Sequence, residues 1–438
     1  MKRAALLAFL MLFPVLLRAE GEVQAYGVLP ADAVDSRGDT IGGIGSGIFY
    51  DRKTDRYFCT SDRGPGDGTL SYRPRFFIVK ISPDNTASRK LRVEVEKVVI
   101  LKDENGRDMT GVNPTAEPTD HPVTPSGQSC IDPEGIALAP DGTVYLADEY
   151  GPYLYQFTRE GKMLRRLRMP DYYTPIDTSG KINYSAGADV ISGRRVNLGF
   201  EGLTILPGGK VAALILEKPL AQDRRGNGFF SRILLVELAS GKIKGEYAYA
   251  FESAESVMQR FGKAGEKSTK QAGLSINDMA AIDENRFLVL ERDASGENGS
   301  FHPTPARYKS IWLIDLRGAS NLLDAQFADY RMPRTKENSK SLSIAPGLRP
   351  VRKQFLFNLP SLKFDFEKGP TAEMLDAKWE GIAYLGSPSQ NVFEMMMTND
   401  NDFLTGKIHD GGQIIAFPRA KKPQDMLFLK IKAPLPRQ

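Results

Sequence analysis

Carboxylates stand at the open ends of short apolar hairpins along this 438-residue chain. Residues 132–151 read DPEGIALAPDGTVYLADEYG. Glu134 precedes the apolar run GIALA, Pro140-Asp141-Gly142 marks a turn, and TVYLA leads back to Asp148 and Glu149. Proline presets φ and glycine accepts φ > 0, so the turn signal is strong. A hairpin returns its two ends to one edge, which sets Glu134 beside Asp148 and Glu149. The pattern recurs in EGLTILPGGKVAALILEKP (201–219), with Glu201 and Glu217 at its ends. It recurs in NDMAAIDENRFLVLERD (277–293), with Asp278 leading and Glu291 and Asp293 closing. In EGIAYLGSPSQNVFEMMMTNDND (380–402), Glu380 leads and Asp400 and Asp402 close. GSGIFYDRKTDRYFCTSDRG (45–64) has no leading acid, but Asp62 and Arg63 close it.

So many carboxylates at close range do not all stay ionised without raised pKa values, protein cations or metal ions. Hard oxygen ligands in excess suit Ca²⁺, and less often Mg²⁺ or Mn²⁺. The expected metal ligands are Glu134, Glu201, Asp278 and Glu380, with Asp62, Asp148, Asp400 and Asp402 around them. Arg63, Lys218 and Arg292 lie within the closing motifs and supply cationic partners. The competing structural reading makes these acids caps of backbone N–H groups or arginine partners that lock neighbouring units. His121, His302 and His409 fall outside the hairpins and form no zinc motif. GIGSG (43–47) is not a nucleophile elbow, because Ile44 and Ile48 flank Ser46. DENGRD (103–108) lacks the spacing and terminal Glu of an EF-hand. Trp312 and Trp379 read as packing residues, and Trp379 also as a residue that could line a pocket.

The elements that must position these acids are strands. Each hairpin is followed by one or two more strand-like runs, such as RFFIVKI (75–81), YLYQFT (153–158), SRILLVEL (231–238) and KSIWLIDL (309–316). GQIIAFP (412–418) follows the fifth hairpin. Four strands per unit, repeated in sequence, predict an all-β propeller of four-stranded blades. Five units are countable, and the long spacings leave room for a sixth. Either the N-terminal EVQAYGVL (22–29) or LFLKIKA (427–433) completes the last blade. Polar insertions at 103–129, 171–196, 253–275 and 318–350 read as loops, with a short helix in AESVMQRFGKAG (254–265). One domain over 20–438 is expected. In a propeller the leading and closing acids of all units converge on one rim of the central channel.

Lys and Arg number 58 against 54 acids, a formal charge of +4. Residues 1–19 read as a secretory signal: Lys2 and Arg3, an apolar stretch, then Ala19. Without Lys2, Arg3 and Arg18 the mature chain is nearly neutral, which argues against a nucleic-acid footprint. No other run is long and apolar enough to span a bilayer. A periplasmic or secreted monomer is expected. Cys59 and Cys130 are either a disulfide between adjacent units or two buried thiols.

SDRG (61–64), DPEGIAL (132–138), DEYG (148–151), FEGLTIL (200–206), LERD (290–293) and WEGIAY (379–384) together resemble the phytase-like propeller family, named for esterase-like activity of phytase. The DPEGIA piece also resembles gluconolactonase-like and strictosidine-synthase-like propellers, which place a divalent metal in the central channel. The resemblance implies a calcium-dependent hydrolase of phosphate esters, with a small anionic ester as substrate. On that reading Glu149 accepts a proton, and Arg63 and Arg292 neutralise the anion. The alternatives are a lactonase or carboxylic-ester hydrolase, and a non-catalytic binding propeller.

Overall fold

The acid-flanked hairpins form, and each is the inner half of an antiparallel four-stranded unit. The computed structural model describes residues 21–224, 229–262, 274–293, 308–332, 341–362, 377–386, 392–416 and 423–435. The segment 1–19 and His302 lie outside the described residues. Unit one is Gly47–Asp51, Arg56–Thr60, Arg75–Pro83 and Lys90–Ile100. Unit two is Pro133–Leu138, Val144–Asp148, Tyr153–Phe157 and Met163–Arg168. Unit three is Phe200–Ile205, Val211–Leu216, Phe230–Glu237 and Ile243–Ala250. Unit four is Ser275–Ala281, Arg286–Arg292, Lys309–Asp315 and Arg352–Asn358.

Unit five uses both candidate closing strands. Lys378–Tyr384 and Val392–Asp400 are followed by Met426–Pro434, and Glu22–Leu29 adds outermost, with Tyr26 opposite Leu429. The first strand of the chain thus completes the last unit. Tyr26 and Gly27 also run parallel to Lys90 and Leu91, which joins units one and five in one eight-stranded sheet. No sixth unit occurs among the described residues. Of GQIIAFP, residues 417–418 lie outside the described residues; among the described residues Gln413–Ala416 joins no unit and pairs with Lys407–Asp410. That side hairpin is fastened by Asp410, which accepts from Arg73 at 2.9 Å and from Arg75 at 2.5 Å. The expected helix forms over Ala254–Phe261, where the Ser253 side chain caps Ser256 N–H at 3.0 Å.

The inner strands approach so closely that side chains are excluded where they cross. A Cβ at Gly47 would lie 2.2 Å from the Glu134 carbonyl oxygen, and one at Gly135 would lie 2.5 Å from Leu203 N. One at Gly202 would meet Met279 N at 2.8 Å, and one at Gly381 would meet Ile48 at 2.9 Å. These contacts run from unit to unit around an axis, the arrangement of a propeller-type fold. Between units the core is apolar: Trp379, Leu288 and Met397 pack between units four and five, and Ala147, Leu154, Leu203 and Leu214 between two and three. Full burial of each large side chain contributes about 1.5–3 kcal/mol. Trp379 is therefore a packing residue, not a pocket wall. Cys59 and Cys130 are both buried free thiols. At the end of the channel away from the acids, a cavity of about 850 Å³ opens, floored by Ile48, Leu203, Met279 and Ile382. No residue of the acidic rim lines it.

Candidate functional site

Four of the five inner strands carry the same local irregularity. The register skips Glu201 between Phe200 and Gly202, Asn277 between Ile276 and Asp278, and Glu380 between Trp379 and Gly381. In unit two it skips between Pro133 and Ile136, where Glu134 sits. A bulge of this kind re-aims a side chain. It turns Glu134, Glu201, Asn277 and Glu380 to the channel mouth, and the following glycine lets the next strand pass. In unit four the position of that glycine is taken by Asp278. The sequence register that grouped Asp278 with the three glutamates is therefore one residue off; Asn277 is their counterpart.

The rim divides into two halves of different charge. On the side of units five and one, the Lys378 ammonium lies 3.1 Å from Glu380 Oε1, 3.1 Å from Asp400 Oδ2 and 2.9 Å from Asp402 Oδ1. Arg292 adds a second cation, 2.9 Å from Glu380 Oε1, and the Asn277 amide reaches the same oxygen at 3.3 Å. Asp62 belongs to this half; it converges with Asp400 and Asp402 and accepts Gly64 N–H at 2.8 Å. On the side of units two and three, acids outnumber cations. Glu149, Glu201 and Glu217 each bring an oxygen within 4.8 Å of the others, and Asp132, Glu134 and Glu149 do the same. Arg63 spans this half, donating to Asp132 and, at 3.1 Å, to Glu149. Lys218 stands 3.7 Å from Glu217. Glu201 is only 5% exposed, and its Oε2 has no hydrogen-bond partner.

Three predicted or rim acids are committed elsewhere. Asp148 accepts the N–H groups of Asp132, Tyr150 and Gly151 at 3.0, 3.2 and 2.9 Å, so it fixes the loop as a cap. Asp278 accepts Met279 N–H at 2.7 Å and Ile382 N–H at 2.8 Å. Glu291 turns away from the channel and binds Tyr249, Tyr308 and Lys353 at 2.6, 3.2 and 2.7 Å. Within the TNDND segment, Asn399 accepts Leu427 N–H at 2.6 Å and Asn401 accepts Gly43 N–H at 3.0 Å. Those two amides are structural.

Burial dominates the electrostatics. It pushes the carboxyls of Glu134, Glu149 and Glu201 well above the ordinary range, and neighbouring carboxylates push the same way. Asp62 is likewise raised by burial and by Asp400, against the pull of Lys378. Glu380 is raised by burial and pulled back by Lys378 and Arg292. Asp148 is pushed up to about 8 by burial, although its three N–H partners oppose this.

Sequence reasoning missed Asp132, Lys378 and Arg194. Asp132 and Lys378 stand two residues before Glu134 and Glu380, so a comparison of the units at that position exposes both. Arg194 comes from the 171–196 insertion; it is buried and donates to the Tyr184 carbonyl at 2.9 Å. Nothing in the repeat pattern points to it.

A family model described as Phytase-like, esterase-like activity of phytase, matches residues 39–403. The chain belongs to this family. The matched stretch runs from the loop before unit one to the Asp400–Asp402 segment and so contains the whole rim. The chain is also 27% identical over 455 residues to an uncharacterized secreted protein of Arthroderma benhamiae, covering 87% of this chain and 86% of the relative. Among solved structures, it resembles the PQQ-bound aldose sugar dehydrogenase of Streptomyces coelicolor at 12% identity and a TM-score of 0.32, covering 95% and 97% of the two chains. It resembles virginiamycin B lyase of Staphylococcus aureus at 12% identity and a TM-score of 0.30, covering 94% and 99%. No helix among the described residues is long and apolar enough to cross a membrane.

Proposed function

We propose that this phytase-like chain is a secreted, five-bladed ester hydrolase that works with a divalent cation, Ca²⁺ first, held by Glu149, Glu201 and Glu217. The observation that supports this is the buried, unpartnered Oε2 of Glu201 among converging carboxylates. An unpaired buried carboxylate oxygen is costly, and a hard cation removes that cost. When bound, such an ion polarises an ester oxygen and lowers the pKa of a water. Glu134 stands beside this group and, held protonatable by burial, takes the proton from the attacking water and returns it to the leaving group. Arg63 orients Glu149 and stabilises negative charge as it develops. Glu149 and Glu134 thus exchange the roles expected from sequence. Asp62, Glu380, Asp400 and Asp402 are served by Lys378 and Arg292 instead of a metal, and Asp148 and Asp278 by backbone N–H groups.

The family description and the cations Arg63, Arg292 and Lys378 favour phosphate esters. One observation favours a second reading. Arg63 and Arg292 are already paired with Glu149 and Glu380, which favours an uncharged ester or lactone over an anion. Turnover of p-nitrophenyl phosphate and of a lactone panel, each before and after chelation, separates the two. Phosphatase activity lost on chelation supports the first. Lactone turnover alone supports the second. No turnover of either, with and without Ca²⁺, contradicts both and leaves a binding propeller.

A further inference from the structure

We propose that Lys378 is a resident cation filling a second cation position, so that the centre takes one divalent ion and not two. This deepens the proposed function and rests on it for the first ion. An ammonium has three N–H donors. That of Lys378 meets three carboxylates, Glu380, Asp400 and Asp402, at 3.1, 3.1 and 2.9 Å. Asp62, Asp400 and Asp402 bring one oxygen each within 4.8 Å of one another, the spacing of a cation cage. Backbone donors hold the cage open: Asp62 accepts Gly64 N–H, and Asp400 accepts Asp402 N–H, both at 2.8 Å. Each of these two carboxylates is fixed from outside. Glu380 offers a further oxygen, Oε2, that is buried without a hydrogen-bond partner.

The repeat explains why the cation is built in here and not opposite. Lys378 stands two residues before the bulged acid of its unit and lies opposite Asp400 in register. The same position holds Asp132 in unit two and Gly199 in unit three. Unit two therefore adds an acid, which pairs with Arg63, and unit three adds no side chain, its Gly199 N–H reaching Glu149 Oε1 at 3.4 Å. The residue at this repeat position shifts the local balance: Lys378 adds a cation on the side of units five and one, while on the side of units two and three Arg63 and Lys218 leave carboxylates in excess. That excess leaves the unit two and three side for a metal. The fixed ammonium also gives this half of the rim, on the side of units five and one, a positive charge that does not depend on free calcium.

The test is Ca²⁺ stoichiometry of the chelator-stripped mature protein, by calorimetry and by elemental analysis after dialysis. Wild type is expected to take one ion. Lys378→Gln is expected to take one more, and Lys378→Arg to match wild type. The added ion should be lost again in Lys378→Gln with Asp402→Asn. Two ions in wild type, or no added ion in folded Lys378→Gln, overturns the inference. Should Lys378→Gln not fold, Glu201→Gln with Glu134→Gln, which disables both carboxylate groups of the unit two and three side, decides: it should bind no ion, and stoichiometric binding by that variant overturns the inference. Zero ions in wild type with one in Lys378→Gln would sink the proposed metal at Glu201 and leave the assignment of Lys378 standing.

Discussion

The Asp278 carboxylate accepts the N–H of Ile382 across the channel at 2.8 Å, from the position where units two, three and five carry glycine. It also accepts Met279 N–H, and Ile48 and Leu203 direct their N–H groups to it. One carboxylate therefore ties strands of units one, three, four and five at the axis. It sits between the bulged rim residues and Ile48, Leu203, Met279 and Ile382, which floor the apolar cavity.

Asp278→Ala would leave several buried N–H groups unmade, at about 1–3 kcal/mol for each group not rescued by water. A loss of about 2–4 kcal/mol in denaturant unfolding is expected, with Ca²⁺ stoichiometry unchanged. A change in bound calcium with stability preserved would return Asp278 to the ligand set.

Arg63 stands between Asp132 and Glu149 with its side chain 8% exposed. Removing one partner of a buried ion pair typically costs about 3–5 kcal/mol, because the remaining charge is stranded. Arg63→Ala is expected to lose stability on that scale in metal-free buffer and to recover part of it on adding Ca²⁺. Insensitivity of its melting temperature would show that no charge is stranded when Arg63 is removed.

The pH dependence follows from the carboxyls of Glu134, Glu149 and Glu201, which burial and neighbouring carboxylates raise. Unfolded glutamates titrate near pH 4.3. The folded state holds protons that the unfolded state has released above that value. The stability contribution is therefore complete below about pH 4.3 and is lost as pH rises through the folded values. Asp148, pushed up to about 8, acts in the same sense up to that pH. In chelator, the melting temperature should fall from pH 5 to pH 8.5, and Ca²⁺ should flatten or reverse the slope. A metal-free protein that gains stability over this range would show that the acids are ionised throughout.

Cys59 and Cys130 should remain two thiols. Burial raises both thiol pKa values, so native protein should label slowly. Denatured, unreduced protein should take two alkyl groups by mass spectrometry. A product with none would establish the disulfide.

The hairpins were legible because PDG-type turns and apolar runs encode local pairing directly. Closure was only half legible. Glu22–Leu29 and Met426–Pro434 lie at opposite ends of the chain, and sequence order gives no sign that both belong to one unit. The convergence of Glu134, Glu201 and Glu380 was readable from the repeated Glu-Gly. The misplacement of Asp278 came from matching residue type instead of position: the bulge makes Asn277 the counterpart, and an acid replaces glycine next to it. Glu291 was misread because neighbouring residues on a strand face opposite ways, so Arg292, not Glu291, enters the channel. Lys378 and Arg194 are not legible from the acidic pattern, because half of the rim is defined by the cations that neutralise it.

The most direct test is calcium bound per chain in wild type and in Glu201→Gln, read beside ester turnover. One ion in wild type, none in Glu201→Gln, and turnover lost with the ion is the predicted result. Wild type that binds no divalent metal, or turnover that persists in metal-free Glu201→Gln, would contradict the proposed centre.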